Sequence, residues 1–394
     1  MFEKLSKAPV DKIFALLGQY RADPREEKID LGIGVYKDST GNTPVMDAVR
    51  QAEKRLIENQ TTKTYVGVSG NRGFCDAITD LIFADSIDAQ RISSVQAPGG
   101  TGSLWVIMQL LHRANPDATV WISDPSWPNH YPMLELAGLN PQYYPYFDAA
   151  TRSVRFDDMM AALDGMGKND IVLLHACCHN PTGANLSHEQ WNQVADSLAR
   201  TGAFPLLDLA YLGFGDGIEE DAYGVRTIAR TCPEMMVGFS ASKNFGLYRE
   251  RAGVAIAVAR DKAGADIAFS QMANIIRASY SQSPDHGAEI VRMILSDSSL
   301  RARWEEELTA MRTRMLTLRR NLAASLRKLS NGDEFDFLEH HRGMFSLVGL
   351  PGQAVERLRS EKAIYLIDDS RMNIAGIPEH ETDQLAAAIL DVLD

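Results

Sequence analysis

Short apolar runs rich in β-branched residues recur through the middle of the chain, with amphipathic helical patterns between them. Strands that are apolar along their whole length are buried on both faces, and helical crossovers cover those faces. The pattern therefore predicts an α/β protein with a mainly parallel sheet covered by helices. Turns rich in Gly, Asn, Ser or Pro follow the strands, at the edge where such folds bind ligands. The predicted strands are 94–97, 119–123, 171–175, 205–208, 235–240 and 253–259.

A long helix and a second lobe follow this alternating region. Residues 298–329 contain neither Gly nor Pro, and apolar residues recur there every three or four positions, which predicts one helix with an apolar face. Short apolar runs at 335–338, 344–348 and 364–367 predict the strands of a smaller α+β domain. The predicted organisation is an N-terminal arm at 1–12, a small domain at 13–44 plus 311–394, and a large domain at 45–310.

Composition narrows the possible partners and the compartment. The 394 residues include 40 Lys and Arg against 52 Asp and Glu, a net charge of −12, and no basic run. This balance argues against nucleic acid and anionic membranes as partners. The charged N-terminus lacks the apolar stretch of a signal peptide, and four irregularly spaced cysteines do not form a disulfide framework. We expect a cytoplasmic protein with reduced thiols.

A glycine-rich loop is the first candidate for a binding site. Gly99, Gly100, Thr101 and Gly102 follow the first predicted strand and open a helix. Backbone N–H groups and the positive end of the helix attract phosphate at such a place. A plain tight turn is the alternative interpretation.

Two further loops carry ionisable residues. Asp208 closes an apolar strand, where an ionised carboxylate is costly unless a cation meets it, and helix capping is the alternative. Tyr211, three residues later, can reach the same crevice. Lys243 follows the strand 235–240, and a nearby buried Asp suits an amine nucleophile with a lowered pKa. For Lys243 the alternative is a solvated loop lysine.

Two motifs suggest other chemistries. Ser240 and Lys243 match the S-x-x-K pattern of penicillin-binding hydrolases, but the chain has no K-T-G or S-D-N partner motif. The run His175-Ala176-Cys177-Cys178-His179 suggests a metal site. Strand spacing would point its alternate side chains to opposite faces, so we expect no metal.

Six short motifs stand in a fixed order along the chain. They are Gly-Gly-Thr-Gly at 99–102, Pro-Ser-Trp-Pro-Asn-His at 125–130, His-Asn-Pro-Thr-Gly at 179–183, Asp-Leu-Ala-Tyr at 208–211, Ser-Ala-Ser-Lys-Asn-Phe-Gly-Leu-Tyr at 240–248 and Ser-Arg-Met-Asn-Ile-Ala-Gly at 370–376. With them the chain, from about Asp11 to its end, resembles the aspartate/aromatic branch of the class I aminotransferases. These are pyridoxal 5'-phosphate (PLP) enzymes of fold type I.

The resemblance implies a role for each matching residue near the cofactor ring. Lys243 would form the Schiff base with PLP and move the proton between the substrate Cα and the cofactor. Asp208 would pair with the pyridine nitrogen and keep it protonated. Tyr211 and Asn180 would hydrogen-bond the phenolic oxygen, and Trp127 would stack on the ring.

The cofactor phosphate has its own implied set of donors. These would be Gly100, Thr101, Gly102, Ser240 and Arg251.

The resemblance also implies a homodimer with shared active sites. Tyr65 would reach the phosphate of the neighbouring subunit, and Arg277 would meet the distal carboxylate of aspartate or glutamate across the dimer. Arg371 would hold the substrate α-carboxylate, and the backbone around Gly34 would close over the substrate. Residues 282–285 read Gln-Ser-Pro-Asp, whereas aspartate enzymes of the branch usually read Asn-Pro-Pro-Ala, so the substrate preference stays open.

The implied activity is an aminotransferase that uses amino acids and 2-oxo acids. It would move the amino group between L-aspartate and/or an aromatic L-amino acid and 2-oxoglutarate, in a ping-pong cycle through PLP and pyridoxamine phosphate. A PLP-dependent β-lyase or decarboxylase on the same fold is one alternative. A non-enzymatic binding protein that retains the fold is another.

Overall fold

A computed structural model of the chain describes residues 1–8 and 11–393. The predicted arm at 1–12 and the predicted small domain therefore include Pro9, Val10 and Asp394, which lie outside the described residues. The chain folds into two compact units. The large unit is Pro44–Thr313, and the small unit combines the residues up to Thr43 with those from Arg314 onward. The domain boundaries drawn from the sequence stay a prediction.

The secondary structure of the described residues alternates strands and helices. The strands are β1 Ile29–Asp30, β2 Ile92–Pro98, β3 Thr119–Asp124, β4 Asn140–Pro145, β5 Phe147–Asp148, β6 Ser153–Val154, β7 Asp170–His175, β8 Phe204–Leu209, β9 Met235–Ser240, β10 Ala252–Val258, β11 Phe345–Leu347, β12 Ile364–Tyr365 and β13 Arg371–Asn373. The helices are α1 Lys12–Ala22, α2 Asp47–Asn59, α3 Arg72–Phe83, α4 Gly99–Ala114, α5 His130–Leu136, α6 Phe156–Asp164, α7 His188–Thr201, α8 Ile218–Thr231, α9 Lys262–Ser279, α10 His286–Ser296, α11 Ser298–Ser330, α12 Phe337–His340, α13 Gly352–Lys362 and α14 Thr382–Asp391.

A seven-stranded sheet forms the centre of the large unit, in the order β2-β10-β9-β8-β7-β3-β4. Strands β4, β3, β7, β8 and β9 run parallel to one another. Strand β10 runs antiparallel to both of its neighbours, β9 and β2. The prediction of an α/β fold with a mainly parallel sheet is confirmed. The observed bounds of the six predicted strands agree with the predicted ones within two residues.

The register of the central strands aligns their carboxyl ends. His175 at the end of β7 lies beside Asp208 in β8, and Asp208 lies beside Gly238 in β9. Strands β8 and β9 are buried along almost their entire length. Their apolar side chains therefore hold the sheet in a packed core and present a few polar groups at one edge.

Helix α11 confirms the predicted long helix of 298–329. The apolar stripe that predicted it is buried at every position. Its members are Trp304, Leu308, Met311, Met315, Leu318, Leu322 and Leu326.

The small unit contains two pairs of short strands, β1 with β12 and β11 with β13. The strand predicted at 335–338 is wrong, because Phe335 lies in a turn and helix α12 begins at Phe337. Local bonds explain the difference: the Leu338 N–H donates to the Phe335 carbonyl at 3.1 Å, and the Glu339 N–H donates to the Asp336 carbonyl at 3.1 Å. Within the described ranges, no helix has both the length and the apolarity needed to cross a bilayer.

Candidate active site

A buried hydrogen-bonded chain ends at Asp208. His130 Nε2 lies 2.9 Å from Asp208 Oδ2, and Ser126 Oγ lies 2.9 Å from His130 Nδ1. Burial alone would raise the pKa of Asp208, but the hydrogen bond and the charge of His130, with the charges of His175 and Lys243, hold it below its ordinary value. The carboxylate is therefore ionised at neutral pH. Helix capping is excluded for Asp208, because α8 begins nine residues beyond the end of β8, at Ile218.

Ser126 and His130 contribute to this hydrogen-bonded chain, although the sequence did not single them out individually. They belong to the motif 125–130, but their partner Asp208 is 78 residues from His130. No pattern in the nearby sequence indicates a contact between residues so far apart in the chain. The motif itself is the one signal that could have found them, since a His that follows a strand and a turn rich in Pro and Ser can face the same edge of the sheet as Asp208.

Lys243 lies just beyond the carboxyl end of β9, and its side chain is largely shielded from solvent. Burial lowers its pKa to about 8, Asp208 acts to raise the pKa, and Arg251 acts to lower it further. Its Nζ lies 4.9 Å from the ring centroid of Tyr211. A solvated loop lysine is excluded. A large fraction of this amine is neutral near pH 8, as a nucleophile or proton acceptor requires.

The glycine-rich loop forms the first turn of α4. Gly99 has a φ of +73°, and a Cβ there would lie 2.5 Å from Arg251 Nη2. A Cβ on Gly100 would lie 3.0 Å from Ser240 Cβ. Arg251 Nη1 donates to the Tyr248 carbonyl at 3.0 Å, which fixes the guanidinium against the start of the helix. The loop is more than a plain tight turn, because a helix N-terminus, a hydroxyl and a guanidinium converge there.

The remaining ring-side residues lie on three loops of the same unit. Trp127 follows β3, is half-buried and meets His130 edge-on, with ring centroids 5.1 Å apart. Asn180 follows β7 and Tyr211 follows β8, and both side chains are buried. The large unit thus brings together Lys243, Asp208 and these neighbours around the carboxyl ends of β7, β8 and β9.

Two predicted residues of the large unit lie on its surface. Tyr65 is 89% exposed and lines a groove of about 700 Å³ together with residues 282–285. Arg277 is exposed in the last turn of α9 and donates to Ser281 Oγ at 2.5 Å. Among the described residues, no hydrogen bond or ion pair joins either side chain to Lys243 or Asp208.

Arg371 and Gly34 belong to the small unit. Arg371 is 2% exposed, and its guanidinium carbon lies 4.2 Å from the ring centroid of Phe345. Arg371 Nη2 donates to the Gly32 carbonyl at 3.1 Å. A Cβ on Gly34 would lie 3.1 Å from Phe345 Cζ, so the glycine backbone packs closely on the same ring. The ring and the carbonyl together hold the guanidinium, whose planar fork suits a carboxylate ligand.

Comparison with known proteins gives the family. The family described as "Aminotransferase class I and II" matches residues 26–389. The chain belongs to the class I and II aminotransferases. It is 50% identical over 392 residues to the aromatic-amino-acid aminotransferase of Paracoccus denitrificans and 44% identical over 396 residues to the aspartate aminotransferase of Escherichia coli K12, with complete coverage of each chain.

A solved structure extends the comparison to the cofactor. The aromatic-amino-acid aminotransferase from Burkholderia pseudomallei, covalently bound to pyridoxal phosphate, is 40% identical, with complete coverage of both chains and a TM-score of 0.97. The fold type I assignment, the enzymatic activity and PLP as the cofactor are confirmed. The relatives support the aminotransferase interpretation and give no support to a lyase, a decarboxylase or a non-enzymatic protein.

The residues of this aminotransferase fit the cofactor chemically. Asp208 Oδ2 is engaged by His130, while Oδ1 accepts no hydrogen bond from any described residue, which leaves an acceptor for a protonated ring nitrogen. The α4 N-terminus with Arg251 and Ser240 suits a phosphate. Lys243 offers an amine with a pKa near 8 on the same edge of the sheet.

Proposed function

We propose that this aminotransferase moves the amino group between 2-oxoglutarate and either L-aspartate or an aromatic L-amino acid, namely phenylalanine, tyrosine or tryptophan. The observation that carries the proposal is the state of Arg277. Its one hydrogen bond goes to the neutral hydroxyl of Ser281, and no carboxylate of the described chain pairs with it. The guanidinium is therefore available to donate hydrogen bonds to the distal carboxylate of aspartate or glutamate. It can also turn toward solvent when an aromatic ring arrives.

The cofactor, when bound, supplies an electron sink for the bond that breaks at the substrate Cα. Asp208 would keep the ring nitrogen of the bound cofactor protonated, because His130 stabilises the ionised carboxylate. Lys243 Nζ would take up and return the proton that leaves the substrate Cα. Tyr211 and Asn180 would hydrogen-bond the phenolic oxygen, and Trp127 would stack on the ring.

The anionic groups are held by the other predicted residues. The phosphate would be bound by Gly100, Thr101, Gly102, Ser240 and Arg251. Arg371 would bind the α-carboxylate that every amino acid carries, and the backbone at Gly34 would limit the space beside it.

The proposal includes a homodimer in which Tyr65 and Arg277 serve the site of the neighbouring subunit. Support comes from their exposure, together with that of Val66, which is 42% exposed and lines the same groove as Tyr65. Exposed apolar residues around a groove are typical of a surface that another chain covers. We also place the enzyme in the cytoplasm, and support for this comes from its four cysteines, all described and buried, among which no disulfide forms.

The test of substrate choice is a single-turnover titration. Purified holoenzyme is mixed with aspartate, phenylalanine, tyrosine or alanine, and conversion of the cofactor to its pyridoxamine form is followed by absorbance. We expect aspartate and the aromatic amino acids to react fast and alanine slowly. Absence of reaction with phenylalanine would leave a strict aspartate enzyme.

An arginine variant tests the role of Arg277. Arg277→Ala should lower kcat/KM for aspartate by roughly 30- to 4,000-fold, since truncating a hydrogen-bonded charge pair costs about 2–5 kcal/mol. Phenylalanine should be nearly unaffected. Arg113→Ala is the matched control, because Arg113 is exposed and its hydrogen bonds to described residues go to neutral amides of α9, those of Gln271 and Asn274.

Mixed dimers test the shared site. Expressed alone, Lys243→Ala should be inactive with aspartate, and Arg277→Ala should show the reduced activity given above. If Arg277 serves the neighbouring subunit, mixing the two after partial dissociation restores activity, because each mixed dimer then contains one site with both residues. Failure to recover any activity in verified mixed dimers contradicts the sharing.

A further inference from the structure

A second cluster of potential ligands lies outside the residues assigned to the cofactor. Strand β7 ends at His175, so the alternation of side chains does not extend to Cys177 and Cys178 as the sequence argument assumed. Cys178 has a left-handed φ of +52°, and this turn brings consecutive thiols to the same side. The Sγ atoms of Cys177 and Cys178 and a carboxylate oxygen of Asp221 all lie within 4.8 Å of one another.

The cluster borders a cavity of about 230 Å³, and both Cys177 and Asp221 line it. Two more carboxylates, those of Asp216 and Glu220, lie on its wall, and no described Lys or Arg does. His188 also lies on this wall, with its Nε2 3.0 Å from Glu220 Oε2. The cavity is therefore open to small ions and favours cations over anions.

Asp221 keeps capacity for a further partner. Its Oδ2 accepts the N–H groups of Gly213 and Gly215 at 2.8 and 2.9 Å, and its Oδ1 accepts that of Asp216 at 3.0 Å. A carboxylate has about four lone-pair positions, so Oδ1 retains one. These backbone bonds also fix the carboxylate beside the thiols.

We propose that Cys177, Cys178 and Asp221 form a binding site for a thiophilic divalent cation such as Zn²⁺, with a water from the cavity as fourth ligand. Two thiols and one carboxylate match the ligand types of zinc. A tetrahedral site with Zn–S bonds of about 2.3 Å places its ligand atoms roughly 3.8 Å apart. The observed separations need to close by no more than about 1 Å to reach this geometry. Both thiols lose a proton on binding, and solvent takes up these protons.

The ion would connect two segments of the chain at the edge of the sheet where the candidate active site lies. Cys177 and Cys178 lie in the bend that leads to Asn180, and Cys178 Sγ lies 4.0 Å from the Tyr211 carbonyl. Asp221 lies in the first turn of α8. Bound cation would therefore link the loop after β7 to the segment after β8.

Zinc binding to the reduced, tag-free holoenzyme tests the proposal. Equilibrium dialysis should find one tightly bound Zn²⁺ per chain, and Cys177→Ser or Cys178→Ser should weaken binding by more than about 100-fold, because even outer-shell changes cost 10- to 100-fold. Cys232→Ser is the matched control, since Cys232 is also buried, its Sγ donates to the Ala195 carbonyl at 3.9 Å, and it belongs to no cluster of potential ligands among the described residues. No tight zinc in the wild type, or equal binding in all variants, overturns the proposal.

A cobalt spectrum of the wild type decides the question even if the serine variants fail to fold. Co²⁺ in the site should give the intense visible d–d bands of tetrahedral coordination, which lie at longer wavelengths than the absorption of the cofactor. The two thiolate ligands should add sulfur-to-metal charge-transfer bands. Weak bands of six-coordinate, oxygen-bound cobalt overturn the proposal.

Discussion

Replacing Asp208 by Asn removes the negative charge that, in our proposal, faces the ring nitrogen, and it preserves size and shape. Asp208 is 7% exposed and His130 engages only one of its oxygens, so solvent cannot substitute for the lost charge. Removing one partner of a buried ion pair costs about 3–5 kcal/mol, and each 1.4 kcal/mol is about tenfold in rate. If that cost appears in the transition state, kcat of Asp208→Asn falls by roughly 10²- to 10⁴-fold.

The assay is the single-turnover half-reaction with aspartate, at matched cofactor content verified by absorbance. Asp208→Glu is the control variant, because it keeps the charge and moves it by one methylene, and it should retain more activity than Asp208→Asn. The melting temperature separates a catalytic loss from a folding defect. If Asp208→Asn with a full complement of cofactor turned over within tenfold of the wild type, the charge would not have the role that we assign to it.

Two further predictions concern Lys243 and Gly99. Burial lowers the pKa of Lys243 to about 8, so its neutral form predominates above that pH. The rate at which the apoprotein attaches PLP, followed by stopped-flow absorbance, should therefore rise with pH to a plateau, with a midpoint near pH 8. A midpoint near the ordinary pKa of 10.5 would contradict this prediction. Gly99→Ala should weaken the affinity for PLP, measured by titration, by about tenfold or more, because the new Cβ would lie 2.5 Å from Arg251. Gly41→Ala is the control, because Gly41 has a similar φ of +81° and a Cβ there would have nothing within 4 Å. It should cost about 1–2 kcal/mol of stability and leave the affinity for PLP unchanged.

The strands that surround the site could be predicted because burial on both faces leaves a continuous apolar run in the sequence. Strand β9 coincides with the predicted 235–240 for this reason. Strand β4 was not predicted: it lies at the edge of the sheet, pairs only with β3, and contains Pro141 and Pro145. Prolines are tolerated at such an edge, where one side of the backbone needs no partner, but they hide the strand from a pattern search.

The site could be predicted where one loop contains the decisive residue types in order, as around Lys243. Contacts between loops that are distant in the sequence could not be predicted. The hydrogen bond between His130 and Asp208 is the clearest example. Cys178 shows another reason why part of the site could not be predicted from the sequence. Its left-handed backbone breaks the strand spacing on which the argument against a metal depended, and composition gave no sign of that turn.

The most direct test of the account is the identity of the lysine that carries the cofactor. Of the residues assigned here, only Lys243 combines an amine with a lowered pKa, a position after β9 and the proximity of Asp208. Borohydride reduction of the holoenzyme, followed by mass spectrometry of its peptides, should find the reduced cofactor on Lys243, and Lys243→Ala should bind PLP without turnover. Recovery of the label on another lysine, or substantial turnover by Lys243→Ala, would contradict the account.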